Sequence, residues 1–139
     1  MTRPTIDELE MLNPEQLRLL LDIEIWDDSP NIQFIQDLIV VGCPVDVRNE
    51  WGRTPLHFAA RYEKLEVAEL LLSKGADINA RANEGRTPLH WAALWGQLDM
   101  AKFLVSRGAQ VDARDDNKRT AWDISAKEIR EDVPELEPK

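Results

Sequence analysis

The stretch RTPLHFAA, Arg53 to Ala60, returns as RTPLHWAA, Arg86 to Ala93, and in worn form as RTAWDISA, Arg119 to Ala126. The step is 33 residues both times. Laid over each other without gaps, residues 49–81 and 82–114 are identical at 16 of 33 positions. Each Thr-Pro pair marks a helix start. Thr54 and Thr87 offer a side-chain oxygen to the free N–H groups of the first turn, and Pro55 and Pro88 have no N–H to leave unsatisfied. The small pairs Ala59-Ala60 and Ala92-Ala93 let that short helix lie close to its neighbours. A second, amphipathic helix follows, carried by Leu65, Val67, Ala68, Leu71 and Leu72 in one copy and by Leu98, Met100, Ala101, Leu104 and Val105 in the next. Gly75 and Gly108 stand where a helix ends on a left-handed residue, after which ADINAR and AQVDAR leave the helical pattern for a loop with some strand character. The unit is therefore helix, turn, helix, protruding hairpin. One unit cannot bury both of its faces, so the copies must stack into a solenoid.

The register extends upstream, setting Ile32, Phe34, Ile35, Leu38, Ile39 and Gly42 on Leu65, Val67, Ala68, Leu71, Leu72 and Gly75. This is the second helix of an earlier unit. Its first helix departs from the pattern, because Leu21, Asp22, Ile23 and Glu24 hold the TPLH positions. Asn13-Pro14-Glu15 starts a helix through Leu17, Leu20 and Leu21, and Ser29-Pro30 starts the next. Thr5-Ile6-Asp7-Glu8 has the form of a capping box and predicts a short extra helix to about Leu12. At the far end Gly, Pro, Leu and His of the signature become Lys118, Ala121, Trp122 and Asp123. The expected boundaries are an N-terminal helix at 1–12, a divergent capping repeat at 13–48, and repeats at 49–81 and 82–114. A C-terminal capping repeat at 115–131 and a frayed acidic tail at 132–139 complete the chain.

The T-P-L-H-x-A signature at Thr54 to Ala59 and Thr87 to Ala92, with its 33-residue period, resembles the ankyrin repeat family. The resemblance covers residues 49–126 and implies an all-α ankyrin repeat solenoid of about four units, divergent caps included. It implies that His57 and His90 hydrogen-bond a neighbouring loop backbone and hold the turn. It also implies that partners are held along the concave side, by the hairpin tips and the exposed flank of the first helix, while TPLH and the second helix keep the stack together. On this sequence the tips place Trp51, Glu84 and Asn117 before the turn glycine or its replacement, and Arg53, Arg86 and Arg119 after it. The exposed end of the first helix is Arg61 and Tyr62 in one repeat, Leu94 and Trp95 in the next. The candidate partner-binding residues are thus Trp51, Arg53, Tyr62, Glu84, Arg86, Leu94, Trp95, Asn117 and Arg119. Exposed aromatics beside arginine are the stuff of interface hot spots.

Structural roles compete at several of these positions. The arginine ladder also reads as pairing with acids in neighbouring loops, and Trp95 and Tyr62 as packing on each other. Trp91 and Trp122 fall on core slots, while Trp26 lies in the divergent unit, where the sequence does not place its side chain. Glu63 stands where the second repeat has Gly96, so a positive φ at that turn would be strained.

The 139 residues, 43% hydrophobic and 31% charged, suffice for one domain with a core. A net charge of −9 and a pI near 4.7 disfavour nucleic-acid phosphates and anionic membranes as partners, and a basic protein fits better. Acid gathers at the ends: residues 1–48 hold ten acids against three bases, residues 115–139 eight against five. Asp22, Glu24, Asp27 and Asp28 form a candidate steering patch for a cationic protein, although solubilising ends on a stack explain the same charges. With no signal-like apolar run at the N-terminus and no span of about 20 apolar residues, the expected address is the cytoplasm. The single cysteine, Cys43, aligns with Ala76 and Ala109 and reads as a small buried residue.

Little in the chain suggests catalysis. His57 and His90 are one repeat apart, and stacked helices lie about 8 to 10 Å apart, too far to share a metal at about 2.1 Å from each nitrogen. Phosphate-cradling glycine loops, G-x-S-x-G and a Cys beside a base are missing. The expectation is a non-catalytic, monomeric protein-protein interaction module without cofactor or metal. Two alternatives share the sequence: an acidic inhibitor or immunity-type protein masking a basic active site, and a self-associating structural protein with Trp51, Tyr62 and Trp95 at its own interface.

Overall fold

A computed structural model describes residues 2–139. Among them, nine α-helices follow one another: α1 (Ile6–Leu9), α2 (Pro14–Trp26), α3 (Ile32–Val40), α4 (Pro55–Arg61), α5 (Leu65–Ser73), α6 (Pro88–Leu94), α7 (Leu98–Ser106), α8 (Ala121–Ile124) and α9 (Lys127–Asp132). A 3-10 turn, Pro134–Leu136, closes the chain. Helices α2, α4, α6 and α8 lie side by side as an inner layer, and α3, α5, α7 and the 3-10 turn form the outer one. Between the layers Leu21, Ile25, Leu56, Leu71, Leu89, Met100 and Leu104 are buried.

Five of the helix starts, those of α1, α2, α4, α6 and α8, share one device. In α4 and α6 the histidine at the third helical position reaches back, so that Thr54 N–H donates to His57 Nδ1 at 3.1 Å and Thr87 N–H to His90 Nδ1 at 3.2 Å. Asp123 does the same for α8, accepting from Thr120 N–H at 2.8 Å, and Glu8 and Gln16 do it for α1 and α2. Each is a capping box, in which two free N–H groups are satisfied reciprocally.

Several expectations need correction. The helix expected from Ser29-Pro30 begins later: Asn31 is the cap, its Oδ1 accepting from Phe34 N–H at 2.9 Å, because a residue before the helix with a free side-chain acceptor outcompetes the proline start. The hairpins contain no strand among the described residues. Each tip closes through two backbone bonds, Asn49 N–H to Arg53 C=O at 3.1 Å and Gly52 N–H to Asn49 C=O at 2.9 Å in the first, Ala82 N–H to Arg86 C=O at 2.9 Å and Gly85 N–H to Ala82 C=O at 2.8 Å in the second. The chain then enters the threonine cap at once, which leaves no residues to extend a ladder. Trp122 is only half-buried rather than core, since no further unit covers it among the described residues, and Arg130 lies over its ring at 5.4 Å. The segment 132–139 is not frayed at its apolar positions: Val133 and Leu136 are buried on the outer layer, where the 3-10 turn covers α7.

Candidate functional site

The inner face is built from tips and first helices, and its order begins with two histidines. His57 Nε2–H donates to Arg86 C=O at 2.8 Å and His90 Nε2–H to Arg119 C=O at 2.9 Å, each reaching into the next tip. Both nitrogens of both rings are therefore spent on backbone and threonine partners. Burial pushes the His57 imidazole down to about 4, the bond to Arg86 C=O opposing it, and lowers His90 in the same way. Burial also pushes the Cys43 thiol up to about 11, with Asp22 adding to the effect.

Adjacent tips are stitched together. Asn83 N–H donates to Trp51 C=O at 2.9 Å and Asp116 N–H to Glu84 C=O at 3.0 Å. The arginines after each turn take the acids of these loops: Arg53 approaches Glu84 at 3.8 Å, while Arg86 at 3.5 Å and Arg119 at 3.4 Å converge on buried Asp115. Burial pushes the Asp115 carboxyl up, but hydrogen bonds from the Arg119 and Asn117 amides, together with the two guanidinium groups, hold it below the usual carboxylate range. The ladder thus does structural work.

Arg53 is also wedged between rings, with its guanidinium 4.6 Å from the centre of buried Trp91 and 5.4 Å from that of exposed Trp51. Arg61 repeats the arrangement one step on, 5.2 Å from Tyr62 and 4.4 Å from Trp95. Cation–π contacts of this kind hold long side chains against exposed rings. Tyr62 and Trp95 are therefore bridged by an arginine.

At the N-terminal end of this face a groove of about 390 Å³ gathers Arg18, Leu19, Asp22 and Trp26 from α2, Glu50, Trp51 and Arg53 from the first tip, Phe58 and Arg61 from α4, and Tyr62 from its C-cap. Of the nine sequence candidates it brings together Trp51, Arg53 and Tyr62. Trp95 joins through Arg61, whereas Glu84, Arg86, Leu94, Asn117 and Arg119 lie outside the groove on later units. Trp26, Arg18 and Leu19 were missed. Trp26 is 53% exposed and meets Phe58 edge-on at 5.9 Å. The signal was the spacing of Leu19, Ile23 and Trp26, an exposed apolar stripe on α2 opposite its buried Leu17, Leu21 and Ile25. The acidic steering patch does not form as expected: Asp22 and Glu24 are buried, and Glu24 is held by Arg3 at 2.8 Å and by Asn31 N–H. Asp22 is sunk into the groove wall and Glu24 into its contacts with Arg3 and Asn31, and of the four only Asp27 and Asp28 remain exposed. A larger depression of about 590 Å³ on the outer layer, between α5 and α7, has Phe103 as its one aromatic and no arginine.

A family model described as ankyrin repeats, in three copies, matches residues 18–115. The chain belongs to the ankyrin repeat family. Among curated proteins no match was found. Ankyrin repeats are in general protein-protein interaction modules, and the family is typically non-catalytic. The match begins at Arg18, so the family extends over this ankyrin protein's α2, where the TPLH signature itself is missing. No helix among the described residues is long and apolar enough to cross a membrane.

Proposed function

We propose that this ankyrin protein is a non-catalytic, monomeric module that holds a protein partner on its inner face, in a cytoplasmic setting where Cys43 stays a thiol. The anchors are Trp51, Tyr62 and Trp95, with Trp26 completing the groove end. Arg53, Glu84, Arg86, Leu94, Asn117 and Arg119 form the rim, their side chains divided between loop pairing and the partner. The observation that carries this reading is the run of half-exposed rings, Trp51 at 51%, Tyr62 at 39% and Trp95 at 50%, immobilised by Arg53 and Arg61 on the face its family uses. Rings already held in place lose little entropy on binding, which raises affinity per contact. The inhibitor reading rests on net charge alone, and burial of Asp22 and Glu24 removes half of the patch it invoked.

The test is paired co-purification from native lysate, with wild type and a Trp51→Ala, Tyr62→Ala, Trp95→Ala triple variant as baits of matched circular dichroism. A protein retained by wild type and lost from the variant supports the face; equal retention moves the site elsewhere. Each aromatic truncation at a hot spot is expected to cost about 2 kcal/mol of binding.

A further inference from the structure

The groove holds more cationic than anionic side chains. Arg18 Nε and Arg53 Nε have no hydrogen-bond partner, a state that Arg53 shares with Arg86 and Arg119 at the same slot of the later tips. Arg18 and Arg61 make no ion pair among the described residues, and Arg53 has only the long 3.8 Å approach to Glu84. Against these three guanidinium groups the lining sets two acids, buried Asp22 and exposed Glu50. An island of arginine on a chain of net charge −9 is a local reversal of sign. Between the cations stand the faces of Trp26, Trp51 and Tyr62, which suit an apolar side chain.

We propose, resting on the protein-binding reading above, that the groove takes an acidic segment of the partner, an extended peptide with Asp or Glu beside an aromatic or leucine side chain. The carboxylates supply acceptors to Arg18, Arg53 and Arg61 as charge-assisted bonds, and the apolar side chain lies on Trp26 and Trp51. The occupant is thus opposite in charge to the basic partner that the chain's total charge suggests.

The experiment is selection of a random-peptide display library on the immobilised full chain, with parallel selections on Arg61→Gln, Arg18→Gln and Trp51→Ala variants of matched circular dichroism. Expected is enrichment of acidic residues next to Phe, Trp or Leu. The best peptide should bind about tenfold more weakly to Arg61→Gln and lose affinity as salt rises. Enriched sequences free of acid, still lost on Trp51→Ala but indifferent to the arginine variants, overturn the acidic class and leave the protein-binding face standing. Sequences indifferent to all three variants, or no enrichment, overturn both. A mass that rises with concentration and is restored to monomer by Arg61→Gln gives the groove to a second copy and also overturns the proposal.

Discussion

Gly52 and Lys118 occupy the same slot of different tips, with φ of 72° and 63°, yet only the first needs glycine. A Cβ on Gly52 would stand 2.5 Å from Asn83 Oδ1 and 3.1 Å from its backbone nitrogen, because the next tip is stacked on it. Lys118 belongs to the last tip among the described residues, which no further tip of them covers. Gly52→Ala is expected to destabilise by about 2 kcal/mol, while Lys118→Gly relieves the backbone and gains up to about 1 kcal/mol. Urea midpoints of the two variants check both signs. His57 makes a second residue-scale prediction. Its pKa in the folded protein, about 4, lies below the ordinary 6.5, so between these values the unfolded chain holds the extra proton. Stability is fully present above about pH 6.5 and falls as pH drops toward 4, by about 3 kcal/mol for this one group. His90 adds a loss of the same sign, and Asp22, raised by burial, opposes it. Melting temperatures across that window should fall with acid; an unchanged Tm would mean that the imidazole charges in place.

At the scale of elements, Glu63 is the residue that joins one repeat to the next. It carries φ of 53° where the following unit has Gly96 at 67°, and its carboxylate accepts from Asp99 N–H at 3.0 Å and Met100 N–H at 3.4 Å. Helix α7 lacks a side-chain cap of its own at Gln97, so the strained glutamate caps its N-terminus from the neighbouring unit. Glu63→Ala keeps the strain and loses the cap, an expected cost of about 1 kcal/mol. Glu63→Gly loses the cap but relaxes the turn and should cost less, an ordering that denaturant titration reads directly. The register alone flagged the strain at Glu63, but its compensation was illegible because it comes from a helix 36 residues away. The α2 element shows the same limit. With seven-residue first helices in α4 and α6 but thirteen residues in α2, the repeat pattern does not place the Trp26 side chain, although the Leu19, Ile23 and Trp26 spacing was there to be read.

For the whole molecule, stability belongs to the stack. So few units cannot stand alone, and unfolding is expected as one cooperative transition. The outer layer ends on Val133 and Leu136, 1% and 0% exposed. Leu136→Ala should cost about 2 to 3 kcal/mol, and deleting residues 133–139 should bare α7, lower the Tm and promote aggregation visible by light scattering. A truncated chain that melts as wild type would show that the segment covers nothing.

The sequence by itself determined the period, the Thr-Pro helix starts, the stacking residues and the slots of Trp51, Tyr62 and Trp95, because each follows from local chemistry repeated every 33 residues. Only the tertiary structure decided which side chains meet. It set Arg61 between Tyr62 and Trp95, joined Trp26 of the divergent unit to Trp51 of the next in one groove, and buried Asp22 and Glu24. The physical reason is that contacts between units depend on the rotation of one helix against another, and a break in the repeat leaves that rotation without a local signature.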